Sequence, residues 1–169
     1  DNLIVGMAGD LSKAEAEQLL KDLFAPLPEK SSSKALPKIE LFTDGSEYSA
    51  KRDSAQALTH FAAAGTYRDS IDFYPLYLAN YIFGESGLSS RLSKEIREKR
   101  GLTYGIYTYL SNSDAAALIE GGYSATPENF AKAQELLKQE WCKFAEKGVT
   151  EQELAEAKKS LINSFYLRF

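Results

Sequence analysis

Apolar positions recur along the chain at two spacings, and the change from one to the other sets the expected elements. Leu3 to Ala8 is a short apolar run that ends at the turn Gly9-Asp10, which reads as a buried strand. Ser12 then caps a helix with Glu15 reaching back to it. Ala16, Leu19, Leu20, Leu23 and Phe24 follow at spacings of three and four until Pro26 and Pro28 end the element. Residues 29–38, with Ser31-Ser32-Ser33 and Pro37, form a polar link. Strands resume at Ile39–Thr43 and Ala55–Ala64 around Asp44-Gly45-Ser46, the second with weak alternation because it is rich in alanine.

Asp72 caps a further helix with Pro75 in its first turn; Tyr74, Leu78, Tyr81 and Ile82 line one face and Gly84 stops it. A loop, Glu85–Leu88, leads to a short helix carrying Leu92 and Ile96 one turn apart, with Gly101 as its left-handed C-terminal residue. Tyr104–Leu110 and Ala115–Ser124 form a hairpin across Ser111-Asn112-Ser113-Asp114. Thr126-Pro127 opens a long helix with the stripe Phe130, Ala133, Leu137, Trp141 and Phe144, closed by Gly148. Thr150 and Glu153 form a second capping box, Val149 and Leu154 a hydrophobic staple, and Leu154, Ala157, Leu161 and Phe165 a buried face. Strands and helices in this order do not alternate as in a parallel doubly wound fold. The expected class is α+β, an antiparallel sheet with helices packed on one face.

Length and composition narrow the picture. At 169 residues the chain is one domain, 1–169, by the usual size of roughly 150 residues. Asp1-Asn2 leads at once into an apolar run, and the periodicity of Leu161–Phe169 has no stop signal, so the domain is expected to be a piece of a longer chain. A net charge of -4 argues against a nucleic-acid partner, which would need a basic face. No run approaches the roughly 20 apolar residues of a membrane span, and no signal segment opens the chain. One cysteine excludes an intramolecular disulfide, and one histidine excludes any zinc site built on two imidazoles, so no metal site is expected within these residues. The lack of disulfides is compatible with cytoplasm, matrix or periplasm.

The candidate chemistry is sparse. Gly6-Met7-Ala8-Gly9 lacks the phosphate-loop lysine and is followed by Asp10, so it reads as a tight turn rather than a phosphate cradle. His60, with no second ligand or carboxylate nearby in sequence, reads as a satisfied structural histidine; Cys142, beside Trp141, reads as a small buried hydrophobe. The stretch Ser89–Tyr107 carries two readings. In one, Arg97, Lys99 and Arg100 are a solvated helix end whose cations favour the macrodipole. In the other, Gly101 turns the chain sharply, so that Arg97 and Tyr104 face one spot where a guanidinium fork and a phenol suit a peptide carbonyl or a developing oxyanion.

That stretch, read as Ser89-Ser90-Arg91-Leu92-Ser93-Lys94-Glu95-Ile96-Arg97-Glu98-Lys99-Arg100-Gly101-Leu102-Thr103-Tyr104, resembles the signature of the second, non-zinc-binding module of the insulinase-type metallopeptidases, the group that includes pitrilysin and mitochondrial processing peptidase. The opening Asn2-Leu3-Ile4-Val5 through Gly9-Asp10, the ending Phe24-Leu27-Pro28, Gln56, and Ala79-Asn80-Tyr81-Ile82-Phe83-Gly84 are similar to further stretches of that module, so the resemblance runs over essentially the whole chain.

The resemblance implies a half-module of the processing-peptidase type, inactive alone, whose zinc-binding His-x-x-Glu-His module lies elsewhere in the parent chain or in a partner subunit. It implies that zinc is held by that other module, and that Arg97 and Tyr104 reach across to the backbone of an extended peptide substrate near the scissile carbonyl. Arg91, Lys99 and Arg100 are then structural or surface charges, and the faces of Tyr107 and Tyr109 are left open. The family also contains core subunits of a respiratory complex without working zinc sites, so a non-catalytic scaffold of the same fold is the alternative expectation.

Overall fold

A computed structural model of the chain describes residues 3–28, 30, 34, 36–37, 39–41 and 45–167. The end of the strand expected at Ile39–Thr43, the turn residue Asp44 and most of the polar link lie outside the described residues. The chain divides into two compact units, Asp1–Leu36 and Pro37–Phe169.

The first unit holds one helix, α1 (Lys13–Phe24). Its capping box is the expected one: the Ser12 hydroxyl accepts from Glu15 N at 3.3 Å, and the Glu15 carboxylate accepts from Ser12 N at 2.9 Å. No residue of α1 is buried, and Leu19 and Leu23 of the expected stripe are exposed. The strand expected at Leu3–Ala8 is not formed. A strand needs a neighbour's ladder, and among the described residues none pairs with this run, which leaves Ile4 96% exposed.

The second unit is built on a three-stranded antiparallel sheet of β1 (Ala57–Ala64), β2 (Gly105–Asn112) and β3 (Ala117–Ala125), in the order β1-β3-β2. The long hairpin is as expected, with its boundaries moved by one or two residues. Register places Phe61, Gly121 and Thr108 in one row and His60, Gly122 and Tyr107 in the next, so successive rows face opposite sides of the sheet. The inward side carries Phe61, Ile106, Thr108 and Tyr123. The only described trace of the strand expected before β1 is a single bond from Ile39 N to Ala115 O, which does not make a ladder.

Helices cover the inward side, so the α+β class with helices on one face holds. α3 (Pro127–Lys147) lays Ala133, Leu137 and Trp141 against it, and α4 (Glu151–Tyr166) follows after Gly148 at φ 66. The Thr150–Glu153 capping box is formed as expected. Thr126 occupies the N-cap of α3 but makes no side-chain cap bond. Phe83 sits edge-on to Trp141 at 5.3 Å and against Phe144 at 4.7 Å, joining α3 to the segment that precedes the signature. Tyr123 donates its hydroxyl to Phe130 O at 3.2 Å, and burial pushes that phenol up to about 12.

Three expectations are corrected. α2 (Phe73–Asn80) does not stop at Gly84 but continues as a π-helical turn, Tyr81–Glu85. Gly84 is buried there because it lies against β2: a Cβ on it would stand 2.2 Å from the Thr108 hydroxyl and 2.8 Å from Thr108 N. Of the expected row, Ile82 is buried and Leu78 and Tyr81 are half-buried, whereas Tyr74 is exposed and Phe73, Asn80 and Phe83 are buried instead. Cys142 is exposed, since it follows the core-facing Trp141 by about 100° around α3.

Candidate functional site

The signature segment is anchored before it presents anything. Leu92 and Ile96 are fully buried in the core, and the Ser90 hydroxyl, donating to Gly87 O at 2.8 Å, closes the turn that precedes them. Arg91 points the other way. Its Nε and Nη2 both donate to the Glu153 carboxylate of α4, and its guanidinium lies over the Phe144 ring at 4.9 Å. The Arg91 guanidinium, with Thr150 N and hydroxyl adding to it, holds the Glu153 carboxyl down at about 2 despite partial burial. Glu153 thus serves both its helix cap and the signature segment.

Ser93–Glu98 is a π-helical turn rather than an α-helical one, marked by the bond from Lys99 N to Lys94 O at 3.0 Å. Gly101, at φ 62, then reverses the chain in the left-handed region that favours glycine, and Leu102 N returns to Ile96 O at 3.1 Å. Leu102 packs on the core, Thr103 is buried, and Tyr104 N donates to Ser124 O at 3.0 Å as β2 begins.

This turn brings the two predicted residues together. Arg97 Nε donates to the main-chain carbonyl of Tyr104 at 3.0 Å, so the contact is with the backbone, and Tyr104 is 60% exposed. The three cations at the helix end, Arg97, Lys99 and Arg100, are not alike. Glu95 takes both Lys99 and Arg100, whose hydrogen bonds, and to a lesser degree their charges, hold its carboxyl below the usual carboxylate range. Arg97 has no carboxylate within ion-pair distance among the described residues, and its Nη groups remain available for another acceptor. Lys99 and Arg100 are thus helix-end charges balanced by a local carboxylate, whereas Arg97 is tied to the backbone of Tyr104. Sequence reasoning missed Glu95 as the residue that makes this distinction, although its spacing of four and five from Lys99 and Arg100 was a readable signal.

The outward side of the sheet was also missed. Tyr107 and Tyr109 lie there, stacked at 6.2 Å and 20°, because Ile106, Thr108 and Leu110 take the inward positions of β2. The Tyr109 hydroxyl donates to Glu120 Oε2 at 2.9 Å from the directly opposed position on β3. His60 stands exposed on the same side with no hydrogen-bond partner among the described residues, which corrects its reading as a satisfied structural histidine.

Among the described residues no group of three or more His, Cys, Asp or Glu side chains could hold a metal ion, and no helix is long and apolar enough to cross a membrane.

Residues 1–161 match the family described as the peptidase M16 inactive domain. A Helicobacter pylori protein named Non-peptidase homolog YmxG is 30% identical over 169 residues, covering 99% of this chain and 39% of that protein. A Bacillus subtilis protein named Uncharacterized zinc protease YmxG is 26% identical over 172 residues, covering 99% of this chain and 40% of that protein. Among solved structures, a peptidase M16 inactive domain from Pseudomonas fluorescens has a TM-score of 0.78 at 29% identity, over 94% of this chain and 38% of that one. The chain spans about two fifths of the length of the curated relatives it matches.

Proposed function

We propose, from the premise that this chain belongs to the family of peptidase M16 inactive domains, that residues 1–169 are the substrate-binding, non-catalytic part of a zinc endopeptidase. Zinc, when bound, belongs to a separate module in cis or in a partner subunit and supplies Lewis-acid activation of the attacking water there. This part orients an extended peptide by its main chain, with strand addition as the mode of binding. The Nη groups of Arg97 and the phenol of Tyr104 donate to the carbonyl oxygen next to the bond to be cut, where a developing negative charge strengthens both bonds.

One observation carries this reading. Unlike Lys99 and Arg100, which Glu95 takes, Arg97 has no carboxylate within ion-pair distance among the described residues, and its Nε is held on the Tyr104 carbonyl just before β2 while its Nη groups keep no such bond. A guanidinium with one edge fixed and one edge open is preorganised for an outside acceptor.

The test uses the complete protein together with its zinc-bearing module. Arg97→Ala and Tyr104→Phe are each expected to lower peptide turnover by at least roughly tenfold, the scale of a lost oxyanion donor. Turnover unchanged in both variants removes the proposed role. A second reading, a non-catalytic scaffold of the same fold, is favoured by the name Non-peptidase homolog carried by the Helicobacter pylori relative. A complete protein that neither binds zinc nor cleaves unfolded peptides, alone or with its neighbour, would put that reading first.

A further inference from the structure

We propose that the outward face of the sheet around Tyr107, Tyr109 and Glu120 is a subsite for one basic side chain, arginine or lysine, of the extended peptide. This rests on the reading that Arg97 and Tyr104 hold a peptide main chain, and it adds what that peptide must contain.

The two tyrosine rings lie nearly parallel, with centroids 6.2 Å apart, on residues about two-fifths exposed, so aromatic surface is open to whatever covers the sheet. Glu120 lies at their edge. Its Oε2 accepts from the Tyr109 hydroxyl, which fixes the carboxylate beside the rings. Glu47, Glu95, Glu140 and Glu153 are each paired with a lysine or arginine, whereas Glu120 has no cation within ion-pair distance among the described residues. The floor between the strands is kept low by Gly122, where a Cβ would stand 3.1 Å from the Tyr107 hydroxyl and 3.3 Å from His60 Nδ1.

Flat aromatic faces beside a fixed, unpaired carboxylate match a guanidinium or an ammonium, which lies over the ring and donates to the carboxylate in one pose. A peptide carrying an acid at this point meets like charge, and one carrying an apolar side chain desolvates Glu120 without giving it a partner. The position along the strand also fits. Gly105 follows Tyr104 directly and opens the outward row that continues at Tyr107 and Tyr109. A peptide running along β2 from Arg97 and Tyr104 meets the rings three to five residues on, about 10 to 17 Å away.

The test is binding, so that it does not depend on turnover. Two fluorescently labelled extended peptides, identical except for arginine or glutamine at one position, are titrated against the complete protein by polarisation. The arginine peptide is expected to bind about tenfold more tightly, the scale of a cation shared by a ring and a carboxylate. In Glu120→Gln the two peptides are expected to come within about threefold of each other, and in Glu120→Lys the order is expected to reverse. Equal binding of both peptides by the unaltered protein, no binding of either, or a preference that survives both Glu120 variants overturns the subsite. Arg97→Ala separates this inference from the one beneath it. It is expected to weaken both peptides together while keeping their ratio. If it changes neither peptide while Glu120→Gln still erases the preference, the subsite stands and the role of Arg97 falls.

Discussion

The two sides of the sheet are made by the same three strands and meet opposite demands. On the inward side, Gly121 admits the Phe61 ring, since a Cβ there would stand 2.4 Å from the ring edge, and Gly84 lies against the backbone of Thr108. On the outward side, the adjacent Gly122 is flat for a different reason: the Tyr107 phenol lies by it, and the rings stay in solvent. One glycine pair on β3 therefore removes side chains from both faces, once to admit the Phe61 ring and once to leave room for the Tyr107 phenol. The inward side is where stability concentrates, and the outward side is where binding is proposed. That division is breakable by substitution, because changes of similar size on the two sides have very different expected costs.

The largest effect is expected at Gly84. Valine places a branched side chain where even the Cβ overlaps Thr108 N, and backbone cannot step aside as a flexible side chain can. Overpacking of a compliant site costs about 1 to 3 kcal/mol, and this site does not comply, so Gly84→Val is expected to abolish the cooperative unfolding transition in urea. Next comes Leu92→Ala. Leu92 is fully buried in the cluster with Phe83, Ile96 and Ile106, and truncation there is expected to cost about 2 to 5 kcal/mol by the same measurement. A loss below about 1 kcal/mol would show that the signature segment is anchored elsewhere, through Arg91 for instance.

How legible these features were in the sequence follows from how local their causes are. The capping boxes Ser12–Glu15 and Thr150–Glu153, the Pro127 start and Gly148 end of α3, and the left-handed Gly101 all depend on residues within one turn of each other, and all are formed. The hairpin was readable for the same reason. The strand at Leu3–Ala8 failed because a strand is a statement about a partner, which the run itself does not contain. The π-helical turns at Tyr81–Glu85 and Ser93–Glu98 were not legible, since nothing in their composition separates them from α-helix. Gly84 was misread as a stop because its cause, Thr108, lies 24 positions away. At the candidate site, the juxtaposition of Arg97 with Tyr104 was readable through the Gly101 turn; the use of Nε on a backbone carbonyl was not, and the sorting of the three cations needed Glu95.

The next effect in size concerns the tie between the signature segment and α4. Glu153 is held at about 2 in the folded chain, chiefly by Arg91, against an ordinary value of 4.5. A depressed carboxyl contributes stability that is fully present above the unfolded value and is lost as pH falls through the folded one. The contribution is therefore expected to fade between pH 4.5 and about 2, and Glu153→Gln is expected to remove on the order of 2 kcal/mol at pH 7, the scale of hydrogen bonds to a charged group. The difference between the two proteins should close as the pH approaches 2. A difference that stays constant across the window would mean that the carboxylate acts through its shape and not its charge.

The smallest effect, and the one that sharpens the comparison most, is expected at Tyr109→Phe. The change keeps the ring, its stacking on Tyr107 and its place on the outward row, and removes only the hydroxyl that donates to Glu120. That bond is exposed, so water replaces it at little cost, and the unfolding free energy is expected to move by less than about 0.5 kcal/mol. The hydroxyl also has a second consequence: Glu120 and its hydrogen bond to Tyr109 hold that phenol above its usual range, so its removal frees the carboxylate to rotate without changing its charge. If the outward side exists for recognition, the variant should unfold like the unaltered chain and yet lose part of its preference for an arginine-bearing peptide. A loss of more than about 1 kcal/mol in urea would instead make Tyr109 a packing residue, and the two sides of the sheet would no longer differ in kind.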